Sequence, residues 1–149
     1  MKQLDVSAIK DGSVIDHIDS KSTLKVADIL NIKAEEEVVL VGMNLSSKCL
    51  GKKGIIKIGG KILDQKEVNK IALIAPNATV NIIKDYEVVK KFEVIVPEMI
   101  EGIVKCFNPN CISNYGNIKT RQHLVSKNPI KLRCYYCERV MSANDIVLI

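Results

Sequence analysis

Asp64-Gln-Lys-Glu-Val-Asn-Lys-Ile-Ala-Leu-Ile-Ala-Pro76 decides how the first two thirds of the chain are read. Asp64, three residues ahead of Glu67, has the form of a capping box, in which each side chain accepts from the other residue's backbone N–H. Val68, Ile71, Ala72 and Ala75 then recur at i, i+3, i+4 and i+7, one apolar stripe of a helix, and Pro76 ends it. Strand-like runs lie on both sides: 55–58 (IIKI) before it, 79–83 (TVNII) and 86–96 (YEVVKKFEVIV) after it.

Further back, 38–45 (VVLVGMNL) reads as another strand, joined to 55–58 by the small, polar, glycine-bearing loop SSKCLGKKG at 46–54. Ser20 or Ser22 can cap a helix carrying Leu24, Ala27 and Leu30. Within 4–18 apolar and polar residues alternate, which places Val14, Asp16 and Ile18 on one face and Ile15, His17 and Asp19 on the other. The order is β-α-β-β-α-β, the ferredoxin-like arrangement of an α+β domain.

Pro97 ends this pattern, so the predicted division is 1–97 and 98–149. A segment as short as 98–149 has too few residues for a dependable core, and a structural metal would supply the missing stability. Four of the five cysteines lie there. Cys106-x4-Cys111 and Cys134-x2-Cys137 are two short knuckles, the form in which hairpins deliver four soft ligands to a tetrahedral zinc ion. Asn108, Pro109 and Asn110 make a turn inside the first knuckle, and Lys105, Arg133 and Arg139 flank a thiolate centre that would be negative. Four cysteines leave no open position, so one such Zn2+ per chain would be structural rather than catalytic. Buried free thiols and an iron–sulfur or redox centre are the competing uses of the same four residues. Cys49 stands apart and reads as a free thiol, and His123 as a surface or packing residue.

With six aromatics and no Trp, the core must be built from Ile, Val and Leu. The formal charge of +5 invites a nucleic-acid reading, but residues 1–97 carry 15 basic and 13 acidic side chains and residues 98–149 carry 7 and 4. Four thiolates around a divalent ion would bring the second half to about +1, weak support for a polyanion-binding stripe. No apolar run is long enough to span a membrane, and the start MKQLDVSAIKDGS lacks a secretory h-region. The reading is cytoplasmic, where thiols stay reduced.

In one register from about residue 4 onward, Gly12-Ser-Val-Ile-Asp-His-Ile18, Asn44-Leu45 through Lys53-Gly-Ile-Ile-Lys-Ile58 and Ala75-Pro-Asn-Ala-Thr-Val-Asn81 resemble the regulatory chain of aspartate carbamoyltransferase. So do Asp85-Tyr-Glu-Val-Val89, Cys106-Phe-Asn-Pro-Asn-Cys-Ile-Ser113 and Lys131-Leu-Arg-Cys-Tyr-Tyr-Cys137. The resemblance implies a non-enzymatic chain of pyrimidine biosynthesis. Its first domain would bind CTP or ATP, and its zinc domain would dock onto catalytic chains. Regulatory homodimers would bridge catalytic trimers. Carried over by position, Asp16 and His17 fall at the ribose and phosphate side, Lys57 and Lys91 are the two principal effector lysines, and Lys53 lies near them. Ile9, Asn81, Ile83, Tyr86 and Val88 match contacts to base and sugar. Gly59 stands where better-known members carry an acidic residue, and Phe92-Glu93 where they are more basic; both departures bear on the choice between CTP and ATP.

The rival reading is a zinc-ribbon nucleic-acid binder, which the aromatics Phe107, Tyr115, Tyr135 and Tyr136 would suit and the charge does not. An enzyme is disfavoured: the chain has no glycine-rich phosphate loop, no nucleophile elbow and no open metal site.

Overall fold

The computed structural model describes residues 8–34, 36–48, 51–127 and 129–149, so Cys49 lies outside the described residues. The chain divides into two compact units, Met1–Val94 and Ile95–Ile149.

The first unit runs β1 (Gly12–Asp19), a 3-10 turn (Ser20–Ser22), α1 (Thr23–Ile29), β2 (Val39–Ser47), β3 (Gly51–Gly59), α2 (Gln65–Ile74), β4 (Thr79–Lys84) and β5 (Glu87–Glu93). Its sheet has the order β2-β3-β1-β4-β5, and every neighbouring pair is antiparallel. The first four strands and two helices are the ferredoxin-like arrangement. The hairpin partner β5 adds a fifth strand at the edge, where most of its side chains are exposed. The capping box forms as the sequence predicts: the Glu67 N–H donates to Asp64 Oδ1 at 2.8 Å, and the Asp64 N–H donates to Glu67 Oε1 at 3.4 Å. Val68, Ile71 and Ala72 are buried beneath α2.

Register sorts the sheet into two faces. Ser13, Ile15 and Ile18 of β1 pair with Ile58, Ile56 and Gly54 of β3, and Val80 of β4 pairs with Ile15. A Cβ at Gly54 would fall inside the Thr23 hydroxyl of α1, so this face is the one the helix covers, and the close approach requires glycine. Ile15, Ile18, Val26, Leu30, Ile56, Ile58, Ile71 and Val80 are all fully buried. Each such side chain contributes about 1.5–3 kcal/mol on leaving water.

Two expectations of the sequence fail here for identifiable reasons. The β1 alternation breaks because the pairing with β3 slips between Ile15 and Ile18, and His17 takes φ +56°. This β-bulge returns Ile18 to the face of Ile15 instead of that of Val14 and Asp16. In α1 the buried residues are Thr23, Val26 and Ala27, while Leu24 is exposed. Ser22 stands at the N-cap without a side-chain bond, and Thr23 Oγ1 donates to the Ser20 carbonyl at 2.9 Å; Ala27 and Leu30 of the predicted face are buried.

The second unit is mostly β, as predicted. β6 (Met99–Glu101), β8 (Arg121–Lys127), β9 (Ile130–Cys134) and β10 (Val140–Ser142) form an antiparallel sheet in the order β10-β9-β8-β6, and β7 (Val104–Lys105) pairs with β11 (Val147–Leu148). Ile100, Gln122 and Cys134 form one cross-strand row, and Leu124, Leu132 and Met141 another. Ile100, Leu132 and Met141 are fully buried, so the aliphatic core is small, and the buried Cys134 shares its face. Among the described residues no helix is long and apolar enough to cross a membrane.

Candidate functional site

The second unit gathers Cys106, Cys111, Cys134 and Cys137. Their four sulfurs lie within 4.8 Å of one another, with Cys106–Cys137 at 3.7 Å and Cys111–Cys134 at 3.6 Å. Four sulfurs at about 2.3 Å from one tetrahedral zinc would stand ~3.8 Å apart, so the spacing fits a single ion. The backbone sets up both knuckles. In the first, the Cys111 N–H donates to the Asn108 carbonyl at 3.0 Å, and the Asn114 side-chain amide donates to the carbonyls of Cys106 and Asn108 at 3.2 and 2.7 Å. In the second, the Glu138 N–H donates to the Cys134 carbonyl at 3.0 Å, with Glu138 in the left-handed region at φ +63°.

Cys106, Cys111 and Cys134 are buried, and Cys137 is half-buried. Burial pushes the Cys106 and Cys134 thiols up, and the neighbouring sulfurs push further. At Cys137 burial also acts upward, but it is outweighed by hydrogen bonds from the Arg139 backbone, Asn108 and the neighbouring cysteines, which bring it to about 7. Four thiolates gathered this closely would repel one another, and a cation among them would offset that repulsion, the chemistry expected of a structural metal site. His123 is half-buried, with its ring 6.0 Å from that of Tyr135, a packing contact.

In the first unit, the face away from the helices carries the other predicted residues. Lys57 of β3 pairs with Val14 of β1, Val14 with Asn81 of β4, and Asn81 with Lys91 of β5. The two lysines thus stand in one transverse row, three strand spacings or roughly 14 Å apart. Ile83 pairs with Val88 across a second bulge. Ile9 is buried in one cluster with Val14, Ile55 and Ile83, against which Leu40 and Leu45 pack. Sequence pattern marks this floor only in part: Val14 shares the alternation of Asp16 and Ile55 that of Lys57, but nothing local ties Leu40 to it.

The β1 bulge brings Asp16 and His17 to the same face. Asp16 Oδ1 lies 2.8 Å from Lys53 Nζ, and His17 Nδ1 lies 3.0 Å from Thr79 Oγ1. Burial raises the Asp16 carboxyl, but the Lys53 hydrogen bond, the His17 N–H and the Lys53 charge outweigh it and leave it below its ordinary value. Burial lowers the Lys57 ammonium, partly opposed by the charge of Asp16. Tyr86, at φ +65° in the β4–β5 turn, donates its N–H to the Lys10 carbonyl at 2.9 Å and leaves its ring exposed. A cavity of about 500 Å³ lies beside it, bordered by Ile9, Asp11, Glu37, Gly59 and Gly60.

Comparison with known proteins agrees with this division. Residues 4–95 match the family model described as aspartate carbamoyltransferase regulatory chain, allosteric domain, and residues 98–147 match that chain's metal binding domain. The chain is 56% identical over 149 residues to the aspartate carbamoyltransferase regulatory chain of Pyrococcus horikoshii, covering 99% of this chain and 98% of that one. Identity to the regulatory chain of Thermococcus sibiricus is 57% over 147 residues (99% and 97% covered), and to that of Methanococcus vannielii 50% over 146 residues (98% and 97%).

Proposed function

Because the chain belongs to the family of aspartate carbamoyltransferase regulatory chains, we propose that it couples nucleoside triphosphate binding to the activity of an aspartate carbamoyltransferase catalytic chain in the cytoplasm. Residues 1–97 are the allosteric domain and bind CTP or ATP on the helix-free face. Residues 98–149 hold one Zn2+ through Cys106, Cys111, Cys134 and Cys137 and dock onto the catalytic chain.

The observation that carries the nucleotide half is the row Lys57–Val14–Asn81–Lys91. Ammonium groups act on a triphosphate as point charges, and Lys57, whose charge burial disfavours, gains most from an anion beside it. Lys53 is drawn to Asp16, which with His17 borders the ribose–phosphate portion. Ile83 and Val88 give the sugar and base an apolar seat. The Ile9 backbone has no hydrogen bond among the described residues, so its adjacent N–H and C=O are available to an amino-bearing base edge, which cytosine and adenine share. Tyr86 borders the same end.

Support for docking comes from the apolar side chains around the knuckles. Phe107, Ile112, Tyr115, Ile118 and Val125 are exposed, more than a solvated surface needs. Support for a homodimer comes from β2, an edge strand of the sheet with Val41 and Met43 exposed, which a second copy can extend.

The test is to mix the purified chain with catalytic trimer, measure particle mass, and assay activity with and without CTP and ATP. A larger particle whose substrate dependence shifts with nucleotide, by a coupling of about 1–3 kcal/mol, is expected. An unchanged trimer mass overturns the reading, and a larger particle indifferent to both nucleotides removes the regulatory half of it.

A further inference from the structure

Cys111 is followed by a single 3-10 turn, Ile112–Asn114, and that turn carries Ser113 back toward the sulfur that precedes it. Ser113 Oγ lies 3.1 Å from Cys111 Sγ in a buried position, with Ser113 only 7% exposed. The hydroxyl has no other hydrogen-bond partner among the described residues. Between a thiol and a hydroxyl either atom can donate. A metal-bound thiolate has no proton, so the direction becomes fixed: the Ser113 O–H donates and Cys111 accepts.

We propose that Ser113 is a positioning residue of the metal centre, a dedicated O–H···S donor that holds the Cys111 thiolate in place and withdraws charge from it. The proposal rests on the reading that the four cysteines bind a metal. Among the described residues the Asn114 amide, next in the chain, bonds to backbone carbonyls and shapes the loop; Ser113 reaches a cysteine sulfur itself. A donor to a thiolate stabilises the bound anion, makes it less open to attack by a competing electrophile or proton, and so slows loss of the metal. Partners of this kind change metal affinity by roughly 10- to 100-fold when removed.

The experiment uses the full chain loaded with Zn2+, and separately with Co2+, whose sulfur-to-metal charge-transfer band reports the electron richness of the thiolates. Ser113→Thr and Ser113→Val form the deciding pair, because they share a shape and differ only in the hydroxyl; Ser113→Ala is the third variant. Zinc transfer to a colorimetric chelator should be roughly 10- to 100-fold faster in Val and Ala than in Thr and wild type, with the cobalt band moved to lower energy in Val and Ala alone. Equal transfer rates and band positions in Thr and Val overturn the proposal, whatever strain the extra methyl groups introduce. Metal content of the wild-type chain is measured first. Less than half an equivalent overturns the metal reading, and the Ser113 assignment with it; a full equivalent with no Thr–Val difference overturns Ser113 alone.

Discussion

In the first unit the largest fully buried side chains are aliphatic: Ile15, Ile18, Val26, Leu30, Ile56, Ile58, Ile71 and Val80 close two layers on one another, with only the small hydroxyls of Ser13 and Thr23 as deeply buried among the described polar residues. In the second unit the corresponding set is Ile100, Leu132, Met141 and the amide Gln122, and the smaller Val104 and Cys134 are as deeply buried, with Cys106 and Cys111 close behind. A two-layer domain with that many isoleucines can hold itself by burial. A four-stranded sheet whose core is shared with four clustered cysteines is, on the proposed reading, one that a metal would close. The two halves differ also in where function sits. Around the four cysteines, fold and proposed metal site are the same residues; on the helix-free face of the first unit, the proposed nucleotide site would be laid over a fold that does not need it.

The largest effect should follow from removing the metal. Cys134→Ser, or exhaustive chelation, should abolish ordered structure in residues 95–149 while β1–β5 stay folded. Structural zinc contributes about 10–16 kcal/mol to small metal domains, far more than a short apolar core replaces. Amide hydrogen exchange reads both units at once: protection should vanish in β8 and β9 and persist in β1, β3 and β4. Loss of protection throughout β1–β4 as well would erase the contrast between the halves. The converse substitution, Ile56→Ala, should cost about 2–5 kcal/mol in urea unfolding of the first unit and leave the zinc content at one equivalent.

The same contrast explains which features are legible in the sequence. The cysteine set is legible because its spacing is local: each knuckle spans a few residues, and the four-coordination that a structural zinc ion favours joins two pairs into one expected set. The capping box and stripe of 64–76 are legible for the same reason. Lys57 and Lys91 are not, since a lysine at an alternate strand position has the pattern of an ordinary solvated face. Register alone puts them in one row, and register is a long-range property; only the resemblance to regulatory chains distinguishes them. The β1 bulge leaves no mark either, because His17 adopts φ +56° without a glycine to announce it. Its consequence is that Asp16 stays on the helix-free face with Val14 while Ile18 returns to the core.

A middling effect tests whether that overlaid site is separable from its fold. Lys57→Ala and Lys91→Ala should each weaken CTP and ATP binding by about 1.5–3 kcal/mol, the worth of one charge-assisted hydrogen bond, and hardly move the urea midpoint. Calorimetric titration of the three proteins checks the first half, and denaturation the second. Wild-type affinity in both variants would mean the row does not face the nucleotide. A large fall in stability would mean the lysines belong to the fold after all.

The smallest expected effect is the most selective between the halves, and it is read with acid. The folded state holds the Asp16 carboxyl below its ordinary 3.8. A carboxyl depressed by folding adds stability that is complete above the unfolded value and is lost as pH falls through the folded one. Asp16 and Lys53 keep about a fifth of their side-chain surface exposed, so the contribution belongs with modest ion pairs, about 1 kcal/mol or less. Acid acts on the second unit by another route: protons compete with the metal for thiolates, and the whole unit goes when the ion leaves. Lowering pH should therefore release zinc and melt β8 and β9 in one step, while β1 and β4 weaken gradually from about pH 4 downward. Asp16→Asn should flatten that gradual limb, lower stability slightly at about pH 6, and leave the zinc-release step where it was. Residue-resolved amide signals at graded urea and pH separate these curves. A shift of the zinc-release step by Asp16→Asn would show that the two units do not titrate independently, and an acid limb of β1 and β4 unchanged by the substitution would remove Asp16 from the groups that hold the first unit against acid.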